Sequence, residues 1–182
     1  MSENKAASRY AKSLIDLSTE QNSLEAIKND MVLIEQVISQ NIELETVLQN
    51  PVITLDKKFA ILDGIFGKNV NAITKLYLKL VVNKGRSAIL FDTTKAFIRQ
   101  YNEIKGIVTA EVTSAIALTN ANKEEIIAVV KREIGAKEVI IKEKVNEKLI
   151  GGFILKVGDR QFDASIAGSL HKLKQELSHG VV

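Results

Sequence analysis

The hydrophobic period of this chain changes once, at Gly106, from the helical repeat of about 3.6 residues to the strand repeat of about 2. That switch calls for helices upstream of the glycine and for strands mixed with helices downstream of it. Upstream, Ala7, Tyr10, Ala11, Leu14 and Leu17 recur at three and four, which makes one apolar stripe. Leu24, Ile27, Met31, Ile34 and Ile38 repeat the pattern over a longer helix. A short piece around Leu44, Val47 and Leu48 ends at Asn50-Pro51, because the residue before proline is pushed out of the helical region. Thr54 is placed to cap a helix carrying Leu55, Phe59, Leu62 and Phe66, closed by Gly67. Asn71 starts the next, which stops at Gly85, and a last helix runs from Ser87 with Leu90, Phe97 and Tyr101 on its buried side.

Downstream, Val108, Ala110 and Val112 alternate with Thr109, Glu111 and Thr113 as in a half-buried strand. Asn122 and Glu125 have the spacing of a capping box, and the helix they open carries Ile126, Ile127, Val130 and Ile134 up to Gly135. Val139-Ile140-Ile141 begins a second strand and Gly152–Val157 forms a third. Gly158-Asp159 is a two-residue turn into a short strand at Arg160–Phe162. Asp163 or Ser165 caps a final helix carrying Ile166, Leu170, Leu173 and Leu177. The spacing predicts a mainly α chain with a smaller α/β part: a helical domain over 1–105 and an α+β domain over 106–182.

A length of 182 residues suits one domain or two small ones, and 46% hydrophobic with 26% charged residues is a globular balance. Aromatics are only 5% with no Trp, so the cores must be aliphatic. The absence of Cys excludes disulfides and thiolate metal sites and points to a reducing compartment. The net charge of +3 comes from 25 cations scattered among 22 acids, which makes no electrostatic case for a polyanionic partner. Met1-Ser2-Glu3-Asn4-Lys5 leads into no apolar run, so no signal or transit peptide is expected. No stretch approaches the roughly 18 apolar residues of a membrane span, so any membrane association is expected to pass through partners.

The residues offer no catalytic, cofactor or metal constellation. His171 and His179 have no Cys or carboxylate at metal-ligand spacing and read as solvated surface histidines. Gly64-Ile65-Phe66-Gly67-Lys68 has its glycines too close for a phosphate loop, and Asn69 stands where Ser or Thr would hold magnesium. Gly151-Gly152 precedes a strand, whereas a dinucleotide fingerprint follows one. Lys137, Lys142, Lys144, Lys148 and Lys156 gather around the C-terminal strands and make a small RNA-binding protein the alternative reading. Glu138, Glu143 and Glu147 interleave with them, and no aromatic stacking pair accompanies them, so no nucleic-acid partner is expected.

One helix is more apolar than a surface helix needs. With Ile73 at zero on a helical wheel, Leu76, Tyr77, Leu78, Leu80, Val81 and Val82 cover an arc of about 240°, against the 100° or so that ordinary burial takes. Such an arc belongs either to a helix buried inside its own bundle or to one that lines a groove for a partner's amphipathic helix. The first helix fits beside it, because Ala7 and Ala11 leave room for close approach next to Tyr10 and Leu14.

The end of the chain carries a specific pattern: Leu149-Ile150-Gly151-Gly152-Phe153-Ile154-Leu155-Lys156-Val157-Gly158-Asp159, then Phe162-Asp163-Ala164-Ser165-Ile166 and Leu170. Arg9-Tyr10-Ala11, Asn50-Pro51, Asn83-Lys84-Gly85-Arg86, Phe97 with Tyr101, and Val112-Thr113-Ser114-Ala115 precede it in order. Together they resemble the δ subunit of bacterial F-type ATP synthase, the oligomycin-sensitivity-conferring protein family, over essentially the whole chain. The resemblance implies an N-terminal six-helix bundle, a C-terminal α/β domain and a non-catalytic stator role in proton-driven ATP synthesis. It implies that the first domain takes the N-terminal helix of an α subunit of the catalytic head between its first and fifth helices. By position the partner-facing residues are then Tyr10, Ala11, Leu14, Tyr77 and Leu80. The second domain takes the C-terminal end of the peripheral stalk's b subunit. The implied location is the cytoplasmic side of a bacterial inner membrane, reached only through the complex.

Overall fold

The computed structural model describes residues 2–146, 149–170 and 174. The chain parts into two compact units, Met1–Tyr101 and Asn102–Val182. The first contains α1 (Ser2–Glu20), α2 (Leu24–Gln40), α3 (Ile42–Gln49), α4 (Leu55–Phe66), α5 (Ala72–Asn83) and a 3₁₀ turn at Ser87–Ile89. It also holds most of α6 (Leu90–Lys105). This is the expected six-helix arrangement. The stripe on α2 folds inward as its period requires: Ile27, Met31, Ile34 and Ile38 are all fully buried. Leu62 and Phe66 of α4 and Leu90, Phe97 and Tyr101 of α6 complete the core around them, so the few aromatics of the chain are used inside it.

Two charged side chains are buried among these helices. Asp30 of α2 turns inward, where its Oδ2 accepts from the Asn71 backbone N–H at 2.8 Å and the Thr74 hydroxyl at 2.6 Å. Asn71 is also the cap of α5, its own side chain accepting from the Ile73 N–H at 3.0 Å. The start of α5 is thus tied twice, once locally and once to α2, which meets the orphan donors every helix N-terminus presents. Lys58 of α4 donates from Nζ to the Leu48 carbonyl at 2.7 Å and to Ser87 Oγ at 2.9 Å. Ser87 Oγ also donates to that carbonyl at 2.8 Å. This triangle joins the end of α3, the first turn of α4 and the 3₁₀ turn. Thr54 is the N-cap of α4, as its position predicts, but makes no side-chain cap bond.

The second unit builds its sheet on β1 (Ile107–Ser114), which follows Gly106 directly. Gly106 adopts φ +69°, ending α6 in the left-handed region that suits glycine. Its N–H donates to the Glu103 carbonyl at 3.2 Å, and its own carbonyl accepts from the Lys137 N–H at 3.0 Å. A crossover helix, α7 (Asn120–Ile134), leads to β2 (Glu138–Val145), as the parallel pairing of β1 with β2 demands. Antiparallel β3 (Gly152–Val157) and β4 (Arg160–Ser165) complete the order β2-β1-β3-β4 around the Gly158-Asp159 turn. The last strand runs to Ser165, further than Phe162. The cap of α7 is Thr119 rather than Asn122: Thr119 Oγ1 accepts from the Asn122 N–H at 3.3 Å, so the helix begins earlier than the capping-box spacing implies.

Ala110, Val112, Val139, Leu155 and Val157 on one face of the sheet pack with Ile126 and Val130 of α7. Gly152 sits at φ +76°, and a Cβ there would run into the Ala164 carbonyl and lie 2.9 Å from Ser165 Cα, so only glycine fits this close strand approach. Residues 166–170 are helical, and Ser165 caps them by accepting from the Gly168 N–H at 3.0 Å. Asp163 Oδ1 accepts from the Ser165 N–H at 2.8 Å, so both expected cap residues take part. His171, Leu173, Leu177 and His179 lie outside the described residues.

Candidate docking surface

On α5 the wide apolar arc is shared between two surroundings. Thr74, Tyr77, Leu78, Val81 and Val82 turn into the bundle. Leu76 and Leu80, one turn apart on the other side, stay 67% and 48% exposed. Ile73 is half-buried in the same row, so positions 73, 76 and 80 form a stripe at helical spacing that no described residue of the chain covers fully. Two leucines left partly exposed on one helix still hold burial energy in reserve: covering what remains in water gains about 1–2 kcal/mol each.

The five residues singled out by position separate accordingly. Leu80 is exposed, Tyr10 is half-buried, and Tyr77 is 8% exposed. Ala11 and Leu14 are fully buried, so they form the floor beneath the surface rather than the surface itself. Leu17, two turns beyond Tyr10 on α1, keeps 39% of its surface in water. Tyr10 and Tyr77 come together: burial, and after it the charge of the neighbouring Tyr10, push the Tyr77 phenol well above the ordinary phenol range. The Tyr77 hydroxyl has no hydrogen-bond partner among the described residues. Leu76 lies within the apolar arc but outside the five, because a wheel shows which residues share a face and not which face the bundle covers.

Charge frames the stripe. α5 carries Lys75 and Lys79 and no acid. Lys75 pairs with Asp63 at 2.6 Å, while Lys79 lies 5.8 Å from the centre of the Phe59 ring. Leu76, Lys79, Leu80, Asn83 and Lys84 line a shallow hollow of about 290 Å³.

The second unit has its own hollow, about 380 Å³, where α7 leaves the β3–β4 end of the sheet uncovered. Leu118, Val129, Phe153 and Phe162 line it, with Val129 and Phe162 38% and 41% exposed. On the opposite face, the register puts Glu111 between Lys142 of β2 and Lys156 of β3. Opposite charges directly across strands stabilise each other, so these lysines are matched within the sheet, and no aromatic residue shares their face. Among the described residues no cluster of His and carboxylates could hold a metal, and no helix is long and apolar enough to cross a membrane.

The family described as ATP synthase delta (OSCP) subunit matches residues 6–177. ATP synthase subunit delta of Cytophaga hutchinsonii is 40% identical over 182 residues, covering 100% of this chain and 99% of that one. The subunit delta of Flavobacterium psychrophilum is 41% identical, covering 98% and 100%. A chain in the cryo-EM structure of the Toxoplasma gondii mitochondrial ATP synthase hexamer shares the fold, with a TM-score of 0.73, 18% identity and coverage of 94% and 96%.

Proposed function

The chain belongs to the ATP synthase delta (OSCP) subunit family, whose members are non-catalytic parts of the complex, and from that premise we propose that it is a link between head and stalk. In this reading the first unit receives the N-terminal helix of an α subunit against α1 and α5. The second unit receives the C-terminal end of the b subunit. The chain thereby resists rotor torque during proton-driven ATP synthesis, at the cytoplasmic side of a bacterial inner membrane to which only the complex holds it. The observation that carries the proposal is the uncovered stripe of Leu76 and Leu80 beside the Tyr10–Tyr77 pair. An amphipathic helix laid on it buries two leucines already paired at helical spacing, which is how helix-in-groove recognition works. The hollow between α7 and the β3–β4 end of the sheet gives the second unit an apolar surface for the stalk segment.

The test is a titration of isotope-labelled full-length chain with a synthetic peptide of the α-subunit N-terminus from the same genome. Amide shifts should concentrate on α1 and α5, and Leu80→Asp should abolish them while leaving the rest of the spectrum in place. A peptide that moves no resonance on α1 or α5 refutes the head half of the proposal. A peptide from the C-terminal end of the b subunit should move α7, β3 and β4, and failure there refutes the stalk half.

A further inference from the structure

The first unit has a further hollow, of about 400 Å³, built on elements other than α1 and α5. Val37 of α2, Leu44 and Val47 of α3, and Ile61 and Ile65 of α4 line it. Leu44 is buried, whereas Ile61 and Ile65, one turn apart, keep 38% and 41% of their surface in water. Glu43 stands in the same lining, and no described cation pairs with it. The charge of this part of the chain is one-sided. Residues 29–56 contain Asp30, Glu35, Glu43, Glu45 and Asp56 and no Lys or Arg, in a chain whose net charge is +3. Asp30 turns inward, while Glu35 and Glu45 are half-buried and Glu43 and Asp56 are exposed. The helix dipole favours acids in a first turn, which accounts for the sign of Glu43 and Glu45 on α3. It accounts neither for the missing cations along the whole stretch nor for two isoleucines left side by side in water.

We propose that this hollow docks a basic amphipathic segment of another polypeptide. The segment lays two apolar side chains, one helical turn apart, against Ile61 and Ile65 and brings Lys or Arg to Glu43 and the other acids of α2 and α3. The site goes beyond the head and stalk contacts proposed above and shares no residue with them. Apolar contact supplies the holding surface, and the acids select which segments approach it. A second copy of this chain meeting face to face would set the same acids against one another. A nucleic acid or an anionic membrane surface would be repelled as well. The sign of the rim therefore selects a cationic protein segment.

The probe is a synthetic amphipathic helix of leucine and lysine, titrated into isotope-labelled full-length chain beside the same peptide with every lysine replaced by glutamate. Shifts from the lysine peptide should centre on Val37, Leu44, Val47, Ile61 and Ile65, and the glutamate peptide should bind there at least about tenfold more weakly. The stripe of Leu76 and Leu80, flanked by Lys79 and Lys84, is an internal control for apolar attraction alone. Glu43→Lys should weaken the lysine peptide about fivefold and flatten its dependence on salt, and Ile65→Gln should weaken it about tenfold. Unfolding midpoints check that both variants keep the fold, and the wild-type map with the contrast between the two peptides decides the matter even where a variant does not. A lysine peptide that leaves the hollow unmoved, or moves α5 equally, overturns the proposal. So does a glutamate peptide that binds the hollow as tightly. The reading of α1 and α5 stands apart from each of these outcomes, because its own test uses the α-subunit peptide.

Discussion

Replacing Asp30 with alanine removes the link that seats the start of α5 on α2. The lost bonds are those from the Asn71 N–H at 2.8 Å and the Thr74 hydroxyl at 2.6 Å. Hydrogen bonds to a charged acceptor contribute about 1.5–3 kcal/mol each, and a carboxylate at a helix N-terminus adds about 0.3–1 kcal/mol through the dipole. The contributions do not simply add, because Asn71 is only half-buried and water can satisfy its N–H. A cost of about 3 kcal/mol is expected. With a urea slope of about 2 kcal/mol/M, the unfolding midpoint of the first unit should fall by roughly 1.5 M. Asp30→Asn keeps an acceptor and loses only the charge, so about 1 kcal/mol should go. Thr74→Val keeps the shape of a fully buried side chain and also costs about 1 kcal/mol. The double variant should cost clearly less than the sum of Asp30→Ala and Thr74→Val, with a coupling of about 1 kcal/mol, since removing both partners leaves no orphan. Denaturation monitored by circular dichroism measures all four, and hydrogen exchange should show protection lost first in α5. An Asp30→Ala cost under about 0.5 kcal/mol, or strict additivity, would refute the reasoning.

Gly152→Ala combines a left-handed backbone with a collision against the Ala164 carbonyl, so it should destabilise the second unit by about 2 kcal/mol or more. Resonances of the first unit should persist past the melting of the second. Lys58→Met should change stability by less than about 1 kcal/mol, because Ser87 still satisfies the Leu48 carbonyl and a buried charge is removed. Burial lowers the Lys58 pKa, so the unfolded chain binds the extra proton in the window below the ordinary lysine value of about 10.4. Wild-type stability relative to Lys58→Met should therefore rise as pH climbs toward that value. Tyr77 has the opposite sign, since its raised pKa keeps the proton on the folded chain. Above pH 10 or so, wild type should lose about 1.4 kcal/mol per pH unit relative to Tyr77→Phe, read from urea midpoints at successive pH values.

The elements were legible wherever local pattern decides them. The alternation from Val108 to Thr113, the Gly158-Asp159 turn and the Asn71 cap each depend on neighbours in sequence, and each was read from them. Thr119, Asn120 and Asn122 can all cap, and only the path of the preceding chain selects Thr119. The buried charges were not legible at all. Asp30 finds its partners 41 and 44 residues on, and Lys58 finds Ser87 29 residues away. A sequence shows a charged residue in an apolar stripe but not what waits for it across the core. The candidate surface was half legible for the same reason: periodicity put Tyr77, Leu76 and Leu80 on α5, and packing alone left the two leucines outside and drew Ala11 and Leu14 in.

The place of β1 in its sheet bears on how such a chain would carry tension. The strand starts at the residue after Gly106, is parallel to β2 from Ile107 to Ser114, and is antiparallel to β3 from Ala110 to Ser114. It is therefore flanked on both sides rather than lying at an edge. A pull entering at residue 106 in line with the strand loads both ladders in shear, so their hydrogen bonds must yield together. The same bonds in a strand peeled sideways from an edge would yield one after another. The first strand of the second unit is thus inserted where extraction along its own axis meets collective resistance.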